Sequence, residues 1–174
     1  MKNIISFTLP LLIPIIFFGQ EVKEHQTKIN EFISKKGAII RFEDLKLPNI
    51  KSAYEFAESR IRKIEISDEK GLFLQISISG KYDTKTSSIS YEDLIEIQNA
   101  MGVLQKLAQN DLSTELDYIE NKYTTKDEFI IGYYVSKNKL NWYMKIEGSS
   151  LFSKNSEVFQ QAFNLAKDKM ESLK

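Results

Sequence analysis

Cysteine is absent from this 174-residue chain, and histidine occurs once, as His25. Without cysteine the chain can form neither a disulfide nor a thiolate metal site, and it has no thiol nucleophile. One histidine cannot build a zinc site of several imidazoles, and a Ser-His-Asp triad would depend on His25 alone. The composition therefore predicts a protein without metal or cofactor, stabilised by packing rather than by cross-links.

Glycine is also scarce, and its 7 residues are spread along the chain instead of forming a phosphate-binding loop. Two S-x-x-K matches begin at Ser67 and Ser136. Both lie in predicted hairpin turns, whereas a serine-lysine nucleophile needs the serine on a helix. The adjacent acids Glu92 and Asp93 fit a helix N-terminus, so a hydrolase would have to combine carboxylates from distant segments.

A long apolar run occurs at the N-terminus, where Ile4–Phe18 follows Lys2 and precedes Gly19 and Gln20. This order is that of a secretory signal peptide cleaved after Gly19 or Gln20. Two prolines interrupt the run, and it is shorter than the ~20 apolar residues of a membrane span. We therefore predict a signal peptide at residues 1–20, with an uncleaved anchor or a buried helix as the alternative.

Charge of neither sign dominates, since 24 basic residues face 24 acidic ones. Removing residues 1–20 takes away Lys2, so 24 less one leaves 23 basic residues against 24 acidic ones, a net charge of −1. Nucleic-acid binding relies on clustered positive charge, so this balance disfavours such a partner. The Lys, Ile and Asn richness is typical of bacteria, and we predict export to the periplasm or the cell exterior, with no membrane span in the mature chain.

Hydrophobic periodicity predicts an α+β fold with antiparallel sheets. Residues 21–36 are predicted as a helix that ends at Gly37, and residues 38–42 as a strand. The pattern in 43–59 fits a short helix or a strand. Residues 60–80 read as a hairpin that turns through Asp68 and Gly71, with Ile64 and Ile66 on the face of Leu72, Leu74, Ile76 and Ile78.

Residues 80–88 then read as a long exposed loop, after which Ser90 and Asp93 form a capping box that starts a helix. The second half repeats this order: a strand near 118–123, a hairpin at 124–148, a short strand at 151–152, and a helix from about Ser156. Residues 21–174 are thus predicted to form one domain. After the first helix it holds two halves, about 38–110 and 115–174, each of several strands followed by a helix and packed as one unit.

The hairpin at 124–148 allows its strand pairing to be predicted residue by residue. A two-residue turn at Lys137–Asn138 would place eight large side chains on one face. The predicted pairs are Val135 with Leu140, Tyr133 with Trp142, Ile131 with Met144, and Phe129 with Ile146. A register slip by one residue would expose all of them, so this face is predicted to be core.

The opposite face of this hairpin carries Ile130, Tyr134 and Tyr143, with Tyr143 across from Gly132. A two-residue turn near Lys126 would add Ile119 and Tyr123 to that face, whereas a three-residue turn would send both to the core and leave the face mostly polar. An exposed apolar patch marks an interaction site, and tyrosine offers both a flat apolar ring and a polar tip. The candidate binding residues are therefore Ile119, Tyr123, Ile130, Tyr134 and Tyr143, the alternative being a sheet surface half covered by the rest of the molecule.

The repeated order of strands and then a helix resembles the Whirly and PUR single-stranded nucleic-acid-binding folds. The segment KGLFLQISISGKYDTKTSSISYEDL is similar in outline to a PUR repeat, in which an apolar strand, a loop and a short strand lead into a helix. The likeness covers residues 60–109 and, more loosely, 116–172. It implies single-strand binding, but no matching set of basic and aromatic contact residues stands out in the sequence, and the net charge opposes that function.

Together these patterns favour an exported, non-catalytic binding module. Its partner is expected to be a protein, a peptide, a glycan or a lipid-like ligand. The alternatives are a hydrolase that uses two carboxylates and a single-stranded nucleic-acid-binding protein.

Overall fold

The computed structural model describes residues 26–35, 37–52 and 55–174. Within these residues it contains two four-stranded antiparallel sheets and three helices, which confirms the predicted α+β class. The elements are α1 (Lys28–Ile33), β1 (Ile40–Lys51), β2 (Phe56–Ile66), β3 (Glu69–Ser79), β4 (Thr84–Ser90), α2 (Tyr91–Asp111), β5 (Tyr118–Thr124), β6 (Ile130–Ser136), β7 (Lys139–Ile146), β8 (Ser149–Ser153) and α3 (Glu157–Ser172). Sheet A has the order β1-β2-β3-β4 and sheet B the order β5-β6-β7-β8.

The turn between β2 and β3 differs from the prediction. It is formed by Ser67 and Asp68, because Ile66 pairs directly with Glu69, and the φ of Ser67 is 54°. The prediction that Ile64 and Ile66 share a face with the apolar side chains of β3 is therefore wrong. The two isoleucines lie on the face opposite Leu74, which we call the outer face of sheet A.

The segment 43–59, for which a helix or a strand was predicted, is strand on both sides of residues 53–54, which lie outside the described part. β1 continues to Lys51, with a register shift between Leu47 and Ile50 around Pro48. Proline cannot donate a ladder hydrogen bond, so an edge strand with a local irregularity is where a sheet accommodates it.

The exposed loop predicted at residues 80–88 is mostly strand. β4 begins at Thr84, and the connection is closed by a 2.7 Å hydrogen bond from the Gly80 amide to the Asp83 carbonyl oxygen. The run of small polar residues that suggested a loop forms an edge strand, and its Ser and Thr side chains pair with those of β3.

The predicted capping box is confirmed. The Ser90 hydroxyl oxygen accepts a hydrogen bond from the Asp93 amide at 3.2 Å, and the same hydroxyl donates to the Asp93 carboxylate at 2.9 Å. α2 extends from this cap to Asp111 and buries an apolar stripe. Its members are Leu94, Ile97, Met101, Leu104 and Ala108.

The register of the β6–β7 hairpin is also confirmed. Lys137 and Asn138 form the turn with φ values of 50° and 57°, the left-handed pair of a two-residue hairpin turn. The inner face of sheet B holds the predicted core side chains Phe129, Ile131, Tyr133, Val135, Leu140, Trp142, Met144 and Ile146; all are buried except the half-buried Leu140.

Each long helix packs on the sheet of the other half. α2 follows sheet A but makes its more extensive contacts with β5 and β6, whereas α3 follows sheet B and contacts β1, β2 and β3. One core cluster consequently contains Ile61 and Ile76 of sheet A together with Ile131 and Trp142 of sheet B. Neither sheet can bury its inner face without a helix from the other half.

α1 ends earlier than predicted: Thr27 caps it, and among the described residues of 21–36 the helical ones are 28–33. Its apolar side chains cover one end of the outer face of sheet A, where a second cluster forms from Ile29, Phe32, Ile33, Ile64, Ile66 and Phe73. Lys28 fastens the helix at two points: its ammonium group contacts Asp93 at 2.7 Å, and its amide donates to Asp127 at 3.0 Å.

The predicted signal peptide, its cleavage site and His25 lie outside the residues that the structure describes. The same is true of residues 21–25 of the predicted first helix. Among the described residues, no helix combines the length and the apolar character that crossing a membrane requires.

Gly132→Ala tests the close approach of β6 to β5. A Cβ atom at position 132 would lie 2.6 Å from the carbonyl oxygen of Asn121 and 2.8 Å from the Cβ of Lys122. Because a neighbouring backbone cannot yield as a flexible side chain can, we expect the free energy of unfolding to fall by about 1–3 kcal/mol in urea titrations.

Gly102→Ala is the matched control for this substitution. Gly102 lies inside α2, and an added Cβ meets nothing within 4 Å. Alanine should stabilise the helix by up to about 1 kcal/mol. Equal stability of the Gly132→Ala variant and the natural protein would contradict the observed packing of these strands.

Candidate functional site

The loop between β5 and β6 decides which predicted site residues share a face. It has three residues, 126–128, because the Thr125 amide donates to the Phe129 carbonyl oxygen at 2.9 Å and Glu128 has a φ of 63°. Ile119 and Tyr123 therefore lie on the inner face, opposite Val135 and Ile131. Their assignment to the candidate binding face is wrong, and the three-residue turn is correct. The accompanying prediction of a mostly polar face is wrong, because four aromatic rings lie on it.

Tyr123 has a structural contact instead. Its hydroxyl donates to Glu96 of α2 at 2.7 Å. Burial, and then this hydrogen bond to a carboxylate, raise the pKa of Tyr123 to about 12. The side chain thus joins sheet B to the helix that covers it.

The outer face of sheet B does carry Ile130, Tyr134 and Tyr143 as predicted, and it adds two rings that the sequence interpretation missed, Tyr118 and Phe152. Ring centroids are 5.9 Å apart for Tyr118 and Tyr134, 6.4 Å for Tyr134 and Tyr143, and 6.2 Å for Tyr143 and Phe152. The four rings run from β5 to β8, and we call this row the aromatic diagonal.

Two local signals could have found the missing rings. Tyr118 is five residues from Tyr123, so an inward Tyr123 requires an outward Tyr118. Glu147 and Gly148 form a two-residue turn with φ values of 44° and 91°, which sets Phe152 opposite Tyr143. Both signals depend on turn lengths, which the side-chain pattern alone leaves open.

The rings of the aromatic diagonal differ in exposure. Tyr143 is 6% exposed and Tyr134 is half-buried, whereas Tyr118 is 55% exposed and Phe152 47%. Tyr143 lies opposite Gly132 as predicted, although the atoms that crowd Gly132 belong to β5. The diagonal thus has a packed centre and two open ends.

Glu120 holds two of these rings in place. Its carboxylate accepts hydrogen bonds from the hydroxyl groups of Tyr143 and Tyr118, the latter at 2.9 Å. The bond from Tyr143 is the main reason that the pKa of Glu120 lies below its usual range, with further contributions from Tyr118 and from Lys122 and Lys145. Burial, and then the bond to Glu120, raise the pKa of Tyr143.

Lysines flank the aromatic diagonal on both sides. Lys122 and Lys145 lie on one side by strand register, and Lys139 lies on the other. Lys154 joins Lys139, since its ammonium group donates to Asn141 at 2.7 Å. Glu120 is the one acidic side chain on the outer face of strands β5–β8, so this face is positive in a protein that is neutral overall.

The Phe152 end of the aromatic diagonal opens into a groove of about 430 Å³, lined by Lys51, Ser52, Phe152, Ser153, Lys154, Asn155 and Val158. The groove continues the surface past the sheet edge toward α3. An extended ligand on the diagonal would therefore have both rings and a recess to contact.

The residues considered for catalysis are not gathered into a site. Ser67 lies in the β2–β3 turn, and Ser136 ends β6 before the next turn, so neither S-x-x-K match is on a helix. The part of the chain that the structure describes contains no group of three or more His, Asp or Glu residues that could hold a metal ion. Searches against protein-family models, curated proteins and solved structures found no match to this chain.

Tyr143→Phe tests the bond that orients the centre of the aromatic diagonal. Loss of the hydroxyl should raise the pKa of Glu120 toward its ordinary value of 4.5, measured by NMR titration of the side-chain carboxyl. Because the folded-state pKa is depressed, the stability that Glu120 contributes is present above pH 4.5 and lost as the pH falls through the folded-state pKa.

The variant should therefore lose less stability on acidification than the natural protein. Tyr82→Phe is the control, since Tyr82 is 88% exposed on the β3–β4 turn. An unchanged Glu120 titration in the Tyr143→Phe variant would show that the bond does not set this pKa.

Proposed function

We propose that the protein is an exported, non-catalytic binding module that holds an acidic glycan on the aromatic diagonal. The observation that carries the proposal is the coincidence of four rings and four lysines on one open sheet face. α2 and α3 occupy the inner faces of the sheets, and Tyr118 and Phe152 stay about half exposed. Exposed aromatic surface that no fold requirement explains marks an interaction site.

The side chains indicate the chemistry of the ligand. Sugar rings have apolar faces that stack on tyrosine and phenylalanine, whose flat rings contribute contact area at little cost in conformational entropy. Glu120 is already engaged by Tyr118 and Tyr143, so the lysines around it present uncompensated positive charge to a ligand. Carboxylate or sulfate groups on a sugar chain would complement that charge.

Export, predicted from residues 1–20, is the reason for preferring a glycan to nucleic acid. Acidic polysaccharides are abundant at bacterial surfaces, where an exported protein would meet them. A local strip of lysines suits a ligand whose charges are spaced along a chain of rings.

Single-stranded nucleic acid is the second candidate, because the face combines the two elements that such proteins use. Aromatic side chains stack on bases, and a positive groove follows the backbone. No continuous motif marks the whole set, because its rings come from four different strands.

The hydrolase alternative has less support. Asp127, Glu128 and Glu147 share one groove, but Asp127 accepts the amide hydrogen of Lys28 at 3.0 Å and Glu147 pairs with Lys85 at 3.3 Å. Acid-base work needs carboxylates that are free to exchange protons with a substrate. Two of these three already have structural partners.

Affinity electrophoresis tests the proposed function, with polygalacturonate as the acidic probe and dextran as the neutral one. We expect retardation by polygalacturonate that weakens as salt is added. Tyr118→Ala combined with Phe152→Ala should lower the affinity by roughly 10- to 100-fold, since each ring contact contributes about 1 kcal/mol. Tyr82→Ala removes a more exposed tyrosine elsewhere and should change nothing.

Charge is tested separately by Lys122→Gln with Lys145→Gln, compared with Lys46→Gln and Lys106→Gln on other surfaces. The first pair should weaken binding and its salt dependence, and the control pair should not. Trp142 lies on the inner face and is 2% exposed, so its fluorescence is a poor reporter for this surface. Stronger retention on oligodeoxythymidine than on polygalacturonate would favour the nucleic-acid candidate, and retention on neither would refute both.

A further inference from the structure

A second concave surface lies on the outer face of sheet A, away from the aromatic diagonal. It is a groove of about 630 Å³ between α1 and two turns of sheet B. The floor contains Arg60, Gln75 and Ser88, one wall contains Ile29 and Ile33 of α1, and the two turns of sheet B add an acidic rim that meets the start of α1 at Asp127. The volume lies within the range of small-molecule sites, and most of the lining side chains are polar or charged.

The floor presents hydrogen-bond donors. Arg60 Nε donates to Gln75 Oε1 at 2.8 Å, and Gln75 Nε2 donates to Ser88 Oγ at 2.9 Å. Gln75 is 5% exposed, so this chain is held firmly. The terminal nitrogens of the Arg60 guanidinium donate to no other described residue, and the Ser88 hydroxyl, having accepted one bond, keeps its own hydrogen to donate.

Nearby acid does not neutralise this floor. Asp44 accepts two hydrogen bonds of 2.7 Å from Arg62, and it lies 3.5 Å from Arg60 Nε. Two guanidinium groups therefore share one carboxylate, which Arg62 engages in the forked geometry that arginine prefers. Arg60 keeps positive charge available to a carboxylate in the groove.

The acidic rim contains hydrogen-bond acceptors. Asp127 Oδ2 accepts the Lys28 amide hydrogen, whereas its Oδ1 is buried and accepts no hydrogen bond from any described residue. A buried carboxylate oxygen without a donor is costly to maintain. Glu128 adds negative charge to the same rim, so the group that suits this end of the groove is a positively charged N–H donor.

We propose that this groove binds a small zwitterion with an apolar side chain, either a free amino acid or a short peptide with free ends. Its carboxylate is held by Arg60 and Ser88, and its ammonium group by Asp127. Its side chain packs on Ile29, Ile33 and Phe42. A ligand with one charge would leave either the arginine or the aspartate without a partner.

Protein-observed NMR titration of the purified protein tests this site with leucine and trileucine as probes. We expect one or both to shift the amide signals of groove residues, which also distinguishes a free amino acid from a peptide as the source. N-acetyl-trileucine removes the ammonium charge and trileucine amide removes the carboxylate. Each blocked peptide should bind about tenfold more weakly than trileucine.

Variants assign each end of the ligand. Arg60→Gln should weaken binding about tenfold and abolish the difference between trileucine and its amide, while the effect of acetylation persists. Asp127→Asn should do the reverse. The matched control for Arg60→Gln is Lys46→Gln, which removes a charge from the β1 residue paired with Arg60. The matched control for Asp127→Asn is Asp117→Asn, which changes the residue just before β5.

Three outcomes would overturn the proposal: no groove shifts with either probe at about 10 mM, blocked peptides that bind as well as trileucine, or equal effects of Arg60→Gln and Lys46→Gln. The blocked peptides are tested on the natural protein, so the proposal does not depend on any variant folding. Tyr118→Ala should leave these titrations unchanged, which separates this site from the aromatic diagonal.

Discussion

Burial of two apolar helix stripes, each on the sheet of the other half, is the interaction on which this structure depends. Each large buried side chain contributes about 1.5–3 kcal/mol of hydrophobic stabilisation as an upper bound, and α2 and α3 place Ile97, Met101, Phe159 and Phe163 among them. Because each helix completes the other half, the two sheets are expected to unfold together. The outer faces are then free to carry binding surfaces, since neither is needed to cover the core.

The two outer faces carry different side chains, although both sheets have four antiparallel strands. On sheet B, four rings cross the strands diagonally, and Glu120 accepts hydrogen bonds from two of their hydroxyl groups. On sheet A, α1 covers the apolar end, and the uncovered end holds the polar chain from Arg60 through Gln75 to Ser88. A broad aromatic surface and a separate polar recess thus coexist on the two outer faces.

Much of this architecture was predictable from local pattern. The Ser90 cap, the α2 stripe and the β6–β7 register each rest on residues close in sequence, where side-chain period and turn chemistry agree. The wrong predictions concern turns for which the side-chain period and the turn residues did not indicate the same position. The β2–β3 turn was predicted to run through Asp68 and Gly71, but Ser67 and Asp68 form it. The polar residues 80–88 were predicted as a loop, but most of them belong to β4. The aromatic diagonal was only partly predictable, because Tyr118 and Phe152 join it through two turn lengths.

The three-residue loop at 126–128 has a consequence for how this surface can change over evolutionary time. Substitutions in this loop leave each side chain of β5 on the same face of the sheet, and Glu128 already adopts a left-handed conformation. A single-codon deletion would instead rotate every side chain of β5 to the opposite side, driving Tyr118 and Glu120 toward α2 and bringing Tyr123 to the surface. Selection on this binding face would therefore be visible as a conserved length rather than as a conserved loop sequence.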